Sequence, residues 1–533
     1  MSLLDIRNLH VAYRGAPALE NVSLTVAPGE IVGLIGESGS GKSTLALAAM
    51  GLLPEDAAVT GTILLDGAEP AALPERARDA LRGGVAGMIF QEPATALNPA
   101  MTIGAQVAET IRLHRRTGRR EAARQAAATL ARVGLDPGRI PPTRYSHQLS
   151  GGQRQRVAIA IAIASGPKLL IADEPTTALD VTTQAEVLAL LRALVAGTGM
   201  GLLFVSHDLA VVAGIADRIV VMRHGAIVEQ GPVRDVLHSP QASYARTLVK
   251  RARHVPRRRS TPQAEAVLEV DGLIRTHPGS RSGLRRARPF RAVDDVSFTV
   301  RRGETLGIVG ESGSGKTTLL RAVLGLDAIQ AGSVRLAGQR LDDARGPARR
   351  AWRRQVQAVF QDPVASFDPR HSVERIVAEP LHLRDVPPGR DERRHLIETA
   401  LTQVGLDPAF ADRLPHRLSG GQRQRVAIAR ALVIEPSLIV LDEAVSALDV
   451  SIRADILDLL AALSDGLGVS YLFVSHDLGV MRAVADRLLV MQAGRIVERG
   501  ETLALMADPH HPYTRALIAA TPDLDRELAL RHA

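Results

Sequence analysis

The chain has 533 residues and no cysteine. That excludes disulfides, zinc ribbons and thiolate-held iron–sulfur clusters. Lysine is nearly absent too: only Lys42, Lys168, Lys250 and Lys316 occur, so arginine carries the net charge of +8. An arginine excess spread along a whole chain reads as a solvated surface, not as a nucleic-acid footprint. Long apolar runs are missing. Stretches such as Val157–Ala164 fall well short of the ~20 residues that span a bilayer. The N-terminus meets Asp5 at once and lacks the basic-then-apolar pattern of a signal peptide. The expectation is a cytoplasmic protein that reaches a membrane only through a partner. What remains is an ordinary globular composition, able to bury sizeable cores in several domains.

What is present is a repeat. Gly36-Glu-Ser-Gly-Ser-Gly-Lys42-Ser43 returns as Gly310-Glu-Ser-Gly-Ser-Gly-Lys316-Thr317, an offset of 274 residues. Leu149-Ser-Gly-Gly-Gln-Arg-Gln-Arg-Val-Ala-Ile-Ala160 returns unchanged as Leu418–Ala429, an offset of 269. The same 269 relates Asp173-Glu174 to Asp442-Glu443, Asp180 to Asp449, and Ser206-His207-Asp208 to Ser475-His476-Asp477. One domain of about 265 residues is therefore present twice. The reading places the first copy at 1–249, a linker at 250–264 and the second copy at 265–533, with a C-terminal extension from about 500. The linker, with Arg251, Arg253, Pro256, Arg257, Arg258, Arg259 and Pro262, reads as solvated. The second copy inserts ten residues within Arg275–Arg288 and is five residues shorter between its glycine-rich loop and Leu418.

The coarse pattern is α/β. Ile31–Ile35, Thr305–Val309, Leu169–Ala172 and Leu438–Leu441 are short apolar runs that predict buried strands. Ser43–Met50 and Thr317–Leu324 predict helices, as do segments between Thr102 and Val133 and over Glu392–Val404.

The repeated Gly-x-x-x-x-Gly-Lys-Ser/Thr loop, placed between strand and helix, suits a phosphate. Gly36, Gly39 and Gly41, with Gly310, Gly313 and Gly315, allow backbone N–H groups to converge on an anion at a helix N-terminus. Ser38, Ser40 and Thr44, with Ser312, Ser314 and Thr318, complete the two loops. Lys42 and Lys316 are expected on the β- and γ-phosphates of ATP, and the hydroxyls of Ser43 and Thr317 on Mg²⁺. Asp173 and Asp442, at strand ends, are placed to hold the Mg²⁺ shell. Glu174 and Glu443 follow, where a base that orients or deprotonates water fits.

Together these motifs resemble the ATP-binding subunits of ABC transporters over essentially the whole chain. The resemblance implies two tandem P-loop NTPase (RecA-like) ABC ATPase domains, each with an antiparallel β subdomain and a helical insert. It makes Ser150, Gly151, Gly152 and Gln153, with Ser419, Gly420, Gly421 and Gln422, the signature motifs. It makes Ala178-Leu179-Asp180 and Ala447-Leu448-Asp449 the D-loops, His207 and His476 the switch histidines, and Gln91 and Gln361 Q-loop residues that sense Mg²⁺ and water. In that family two modules pack head to tail, each ATP lying between one phosphate loop and the opposite signature. Tyr13 is placed to stack on adenine; the second copy offers only Thr276-His277 at that place. Ala444 departs from the proline usual after the catalytic glutamate.

The tail Asp508-Pro-His-His-Pro-Tyr-Thr-Arg-Ala-Leu517 resembles the C-terminal motif of the oligopeptide, dipeptide and nickel importers, and Ser239–Leu248 is its degraded counterpart. The resemblance implies import of peptides or related small solutes. The partners implied are two integral membrane permease subunits and, through them, an extracytoplasmic solute-binding protein. The chain itself would sit peripherally on the cytoplasmic face of the inner membrane, without nucleic acid. Adjacent His510 and His511 diverge and lack a thiol or acidic cluster, so they do not read as metal ligands. Twin-ATPase translation factors share the motifs but join their halves by a long charged helix, whereas this linker is short. An exporter ATPase uses the same motor and stays open as an alternative.

Overall fold

The computed structural model describes residues 2–177, 179–256, 261–278, 281–282, 285–286, 289–341, 344–362, 365–446 and 448–530. Ala178, Ala447, Arg257, Arg258, Arg259 and parts of Arg275–Arg288, all singled out above, lie outside these residues.

Each half is built on a six-stranded sheet. In the first, the spatial order is Ala86–Ile89, Leu169–Asp173, Gly201–Val205, Ile31–Ile35, Arg218–Arg223 and Ala226–Pro232. All neighbours are parallel except the last pair. The second half repeats it with Val356–Val359, Leu438–Asp442, Ser470–Val474, Thr305–Val309, Arg487–Gln492 and Arg495–Glu501. Ile31–Ile35 and Thr305–Val309 are buried along their whole length. A parallel strand covered on both faces requires such an unbroken apolar run, which is why these strands are legible in the sequence.

An antiparallel sheet covers each phosphate-loop region. The first half uses Ala16–Val26, Leu4–Tyr13 and Ala57–Leu65; the second uses Phe290–Arg301, Ala266–His277, Ala331–Leu336 and Gln339–Arg340. The ten-residue insertion lies at the tip of the hairpin between Ala266–His277 and Phe290–Arg301, where Arg281–Ser282 pairs with Arg285–Arg286. The helical inserts differ. Ile103–Arg115 and Arg119–Arg132 form a pair in the first half. The second has Val373–Val377, a 3₁₀ turn at Glu379–Leu383, and Arg390–Gln403.

Over 250–256 the expected linker is exposed at Lys250, Ala252, Arg253 and Val255 but is also held by contacts. The helix Ser243–Ala252 runs through Lys250 and Arg251, and Arg251 donates to the Ser451 carbonyl at 2.7 Å and to Asp455 at 2.8 Å. His254 meets Asp458 at 2.7 Å, and Pro256 is buried. Acidic side chains along Val450–Leu467 supply charge-paired partners that spacing alone does not reveal.

The two halves exchange helices. Ser243–Ala252 of the first packs on Val450–Leu467 of the second, and Pro512–Ala520 of the second packs on Val181–Thr198 of the first. The tail helix Leu524–Leu530 rests on Leu209–Ile215, and its Leu524 and Leu528 join the apolar core of the first half. No helix among the described residues is long and apolar enough to cross a membrane.

Candidate nucleotide sites

Each phosphate loop is a tight cradle between a buried strand and the helix that its lysine opens, Lys42–Ala49 or Lys316–Val323. Gly41 and Gly315 turn the chain into these helices at φ 99° and 108°. Only glycine takes that conformation without strain. A Cβ on Gly315 would also stand 2.1 Å from the Ala292 carbonyl oxygen. Lys42 Nζ donates to the Gly36 and Glu37 carbonyls at 2.8 and 2.9 Å, and Lys316 Nζ to those of Gly310 and Glu311 at 2.6 and 2.8 Å. Burial pulls both ammonium groups below their usual pKa despite the surrounding carboxylates. Poorly solvated cations of this kind gain strongly from an anionic partner. Ser40 and Ser314 are buried, whereas Ser38, Gly39, Ser312 and Gly313 are exposed at the loop surface. Thr44 and Thr318 are half-buried in the helices that follow.

Asp173 and Asp442 end their strands next to the lysines. Burial raises both carboxyls, Asp442 to about 6. The Ser43 hydroxyl donates to Asp173, while Asp173 Oδ1 is buried without a partner among the described residues. Hydroxyl and carboxylate oxygens form the hard donor set that Mg²⁺ prefers, so the residues fit that ion. Thr317, exposed, stands at the matching position of the second half, with Asp442.

Glu174 and Glu443 adopt left-handed backbone at φ 48° and 50°. Side chains disfavour this region, and such strain concentrates at functional positions. Their N–H groups are anchored on Val205 and Val474 carbonyls at 3.0 and 2.9 Å. The kink turns each carboxylate away from its aspartate's strand and onto a histidine. His207 Nδ1 lies 3.2 Å from Glu174, and His476 Nδ1 lies 3.2 Å from Glu443. Gln91 and Thr177 also donate to Glu174, at 2.9 and 3.0 Å. Gln361 lines one cavity with Asp442 and another with His476.

Burial works upward on Glu174, but His207, Thr177 and Gln91 outweigh it and hold the carboxyl at about 2; Glu443 is lowered in the same way by His476. Burial works downward on His207 and His476, but the paired glutamates outweigh it and raise both. The glutamate contribution to stability is present above its ordinary range, ~4.3, and is lost as pH falls through about 2. The histidine contribution is full below ~6.5 and is lost as pH rises through the raised value. In Glu174→Gln the imidazole of His207 is therefore expected to titrate lower than in the wild type, since burial and Arg453 are then opposed only by Asp208. Proton NMR of the ring as a function of pH reads this; an unchanged, raised midpoint would contradict the pairing.

Ser150 and Ser419 cap the helices Gly151–Ile163 and Gly420–Leu432 through reciprocal bonds with Gln153 and Gln422. Ser150, Gly151, Ser419 and Gly420 are exposed, whereas Gly152 is half-buried and Gly421 buried. The two D-loop aspartates differ. Asp449 accepts from the Ser38 backbone N–H of the opposite half at 3.0 Å, whereas Asp180 caps its own helix through Thr183 at 3.0 Å and stands near Lys316. Tyr13 is half-buried against the core of its antiparallel sheet. His277 approaches the Thr318 hydroxyl at 3.4 Å, beside the second phosphate loop.

Two contacts to the phosphate loops escape the motif reading. The hydroxyls of Tyr244 and Tyr513 accept from the Glu37 and Glu311 N–H groups of the phosphate loops. The signal was available, because these tyrosines stand at the same 269-residue offset as the other motifs.

Comparison with known proteins agrees with this geometry. A profile of the ABC transporter family matches residues 19–177 and 293–446. A profile described as oligopeptide/dipeptide transporter, C-terminal region, matches 497–533. The peptidoglycan transport ATP-binding protein YejF of Agrobacterium fabrum is 46% identical over 98% of this chain and 97% of its own length. The glutathione import ATP-binding protein GsiA of Shigella flexneri is 43% identical over 98% of this chain and 90% of its own. Among solved structures, the ATP-binding cassette MJ0796, a dimer bound to ADP and Pi, aligns at 29% identity and a TM-score of 0.40, covering 44% of this chain and 98% of its own. With two matched cassettes, a matched tail and full-length relatives, the chain belongs to the ABC transporter family, as a fused double ATP-binding protein and ATPase of its oligopeptide/dipeptide branch.

Proposed function

We propose that this ATPase energises the import of peptides or related small solutes through two separate integral membrane permease subunits. An extracytoplasmic binding protein delivers the solute, and the chain works peripherally at the cytoplasmic face of the inner membrane. The observation that carries the motor reading is the reach of Asp449 to Ser38, which brings the D-loop of one half onto the phosphate loop of the other. The direction of transport follows the relatives, one a glutathione import protein, and the matched C-terminal region.

On this reading the two ATP sites lie at a head-to-tail interface between units 1–249 and 265–533, joined through 250–264. Lys42 and Ser150 serve opposite sites, as do Lys316 and Ser419. Ser43, Gln91 and Asp173, with Thr317, Gln361 and Asp442, would hold Mg²⁺, which would supply positive charge against the phosphates. Glu174 carries its full charge, and its Oε2 accepts from Gln91 and Thr177 while Oε1 faces His207 Nδ1. Turning Gln91 and His207 toward ATP frees those lone pairs, so Glu174 can take the proton of the attacking water. His207 and His476 then donate to the γ-phosphate as charge develops.

The test is co-expression with two candidate permeases. The chain is expected in the membrane fraction only when both are present, and vesicles containing the assembly are expected to move peptide inward on ATP addition. Sedimentation with ribosomes regardless of permeases would favour a twin-ATPase translation factor. Outward movement of solute would identify an exporter.

A further inference from the structure

The tail motif of each half makes contacts that nucleotide chemistry as described does not use. The helix Ser243–Ala252 or Pro512–Ala520 is fixed from below by a glutamate on the last strand of its own sheet. Glu229 accepts from the Gln241 and Ala242 N–H groups, both at 2.9 Å, and Glu498 from those of His510 and His511 at 2.7 and 3.1 Å. In the second half the His511 ring caps the helix as well, accepting from Tyr513 N–H at 3.2 Å. This use of Nδ1 gives His511 a local structural task, and Pro512 suits the first helical position beside it.

The anchored helix then delivers its tyrosine to the phosphate loop. Tyr244 accepts from Glu37 N–H at 3.2 Å and Tyr513 from Glu311 N–H at 2.8 Å. The carbonyls of the same two residues accept from Lys42 and Lys316. Glu37 and Glu311 are thus pinned on both backbone groups, one by the loop's own lysine and one by the tail. Burial, with the neighbouring Glu37 carboxylate, raises the Tyr244 hydroxyl, and burial raises Tyr513 to about 12, so both hydroxyls stay protonated. Each helix also packs on the helix that follows the other half's D-loop. In the first loop the consecutive N–H groups of Glu37 and Ser38 are therefore held by its own tail and by the opposite Asp449.

We propose that Tyr244 and Tyr513 are positioning residues that brace the two phosphate loops, fixing the first peptide of each in the orientation that aims the following N–H groups at phosphate. Preorganisation of this kind reduces the ordering cost of binding. The hydroxyl faces the loop's first peptide and not the reacting atoms, so its effect falls on nucleotide binding more than on the chemical step. The inference rests on the ATPase character of the chain and not on the solute, partner or direction proposed above.

The experiment uses the full chain without permeases and reads its own ATP hydrolysis. Tyr244→Phe and Tyr513→Phe remove one acceptor and keep the ring. Each leaves a part-buried N–H unpaired and is expected to raise KM for MgATP about fivefold, with kcat within about twofold of wild type. Glu229→Gln and Glu498→Gln, remote from nucleotide, are expected to raise KM in the same direction by a smaller factor. A packing role alone would lower the thermal midpoint and leave KM unchanged. Unchanged KM in both Phe variants, with or without a shifted midpoint, overturns the proposal. Because no membrane component enters, failure of the import reading leaves this test intact.

Discussion

Replacing Glu174 and Glu443 together by glutamine is expected to lower ATP turnover about 10²–10⁴-fold while ATP still binds. Glutamine keeps the size of the side chain, and the backbone bonds to Val205 and Val474 are untouched, so the strained turns at φ 48° and 50° are retained. What disappears is the carboxylate that this reading assigns to accept a proton from water. Among the described residues, the hydrogen bonds of Lys42 and Lys316 go to their own loops and not to the substituted carboxylates. Steady-state phosphate release and equilibrium binding of labelled ATP separate the two effects. Turnover near the wild-type rate would remove these glutamates from the reaction. A loss of binding equal to the loss of turnover would instead make them part of the fold of the site.

The second large effect concerns the strap between the halves. Leu524→Ala and Leu528→Ala are each expected to destabilise the chain by about 2–5 kcal/mol. Both leucines are 7% exposed and sit in the core of the first half, although they belong to the tail of the second. Asp525 adds an ion pair with Arg253 at 2.9 Å, and Arg482 holds Asp523 at 2.9 Å on the other side. These exposed pairs contribute little beside the apolar contact. Leu530→Ala is the control: it is 65% exposed and is expected to change nothing measurable. Urea denaturation gives the stability, and hydrogen exchange over Leu209–Ile215 locates it. Faster exchange there, next to the His207 segment, is the expected companion; unchanged exchange would place the strap elsewhere.

The repeat, the phosphate loops and the central strands were legible because their physics is local. A phosphate cradle demands glycine at Gly41 and Gly315, a lysine one residue on, and a strand before it, all within one short stretch. Ile31–Ile35 and Leu438–Asp442 announce themselves because burial on both faces forbids polar residues inside them. The constant offset of 269 then carried Asp173, Glu174, Asp180 and His207 onto their counterparts. Sequence missed the contacts of 250–256 for a related reason, although Lys250, Ala252, Arg253 and Val255 are exposed as a solvated segment implies. Its arginines look free in sequence, and only the fold brings Asp455 and Asp458 beside Arg251 and His254.

The tertiary structure alone decided which of these residues touch. Glu174 and Gln91 are 83 positions apart, Tyr244 and Glu37 are 207, and Asp449 and Ser38 are 411. It decided that two D-loop aspartates of identical motif differ, one bonded across to the opposite half and one capping its own helix. It also decided that the tail of one half completes the core of the other. Sequence records which groups each segment offers. Pairing among groups so distant depends on how two sheets and their helices pack, and the energy of that packing is shared by residues from both halves at once.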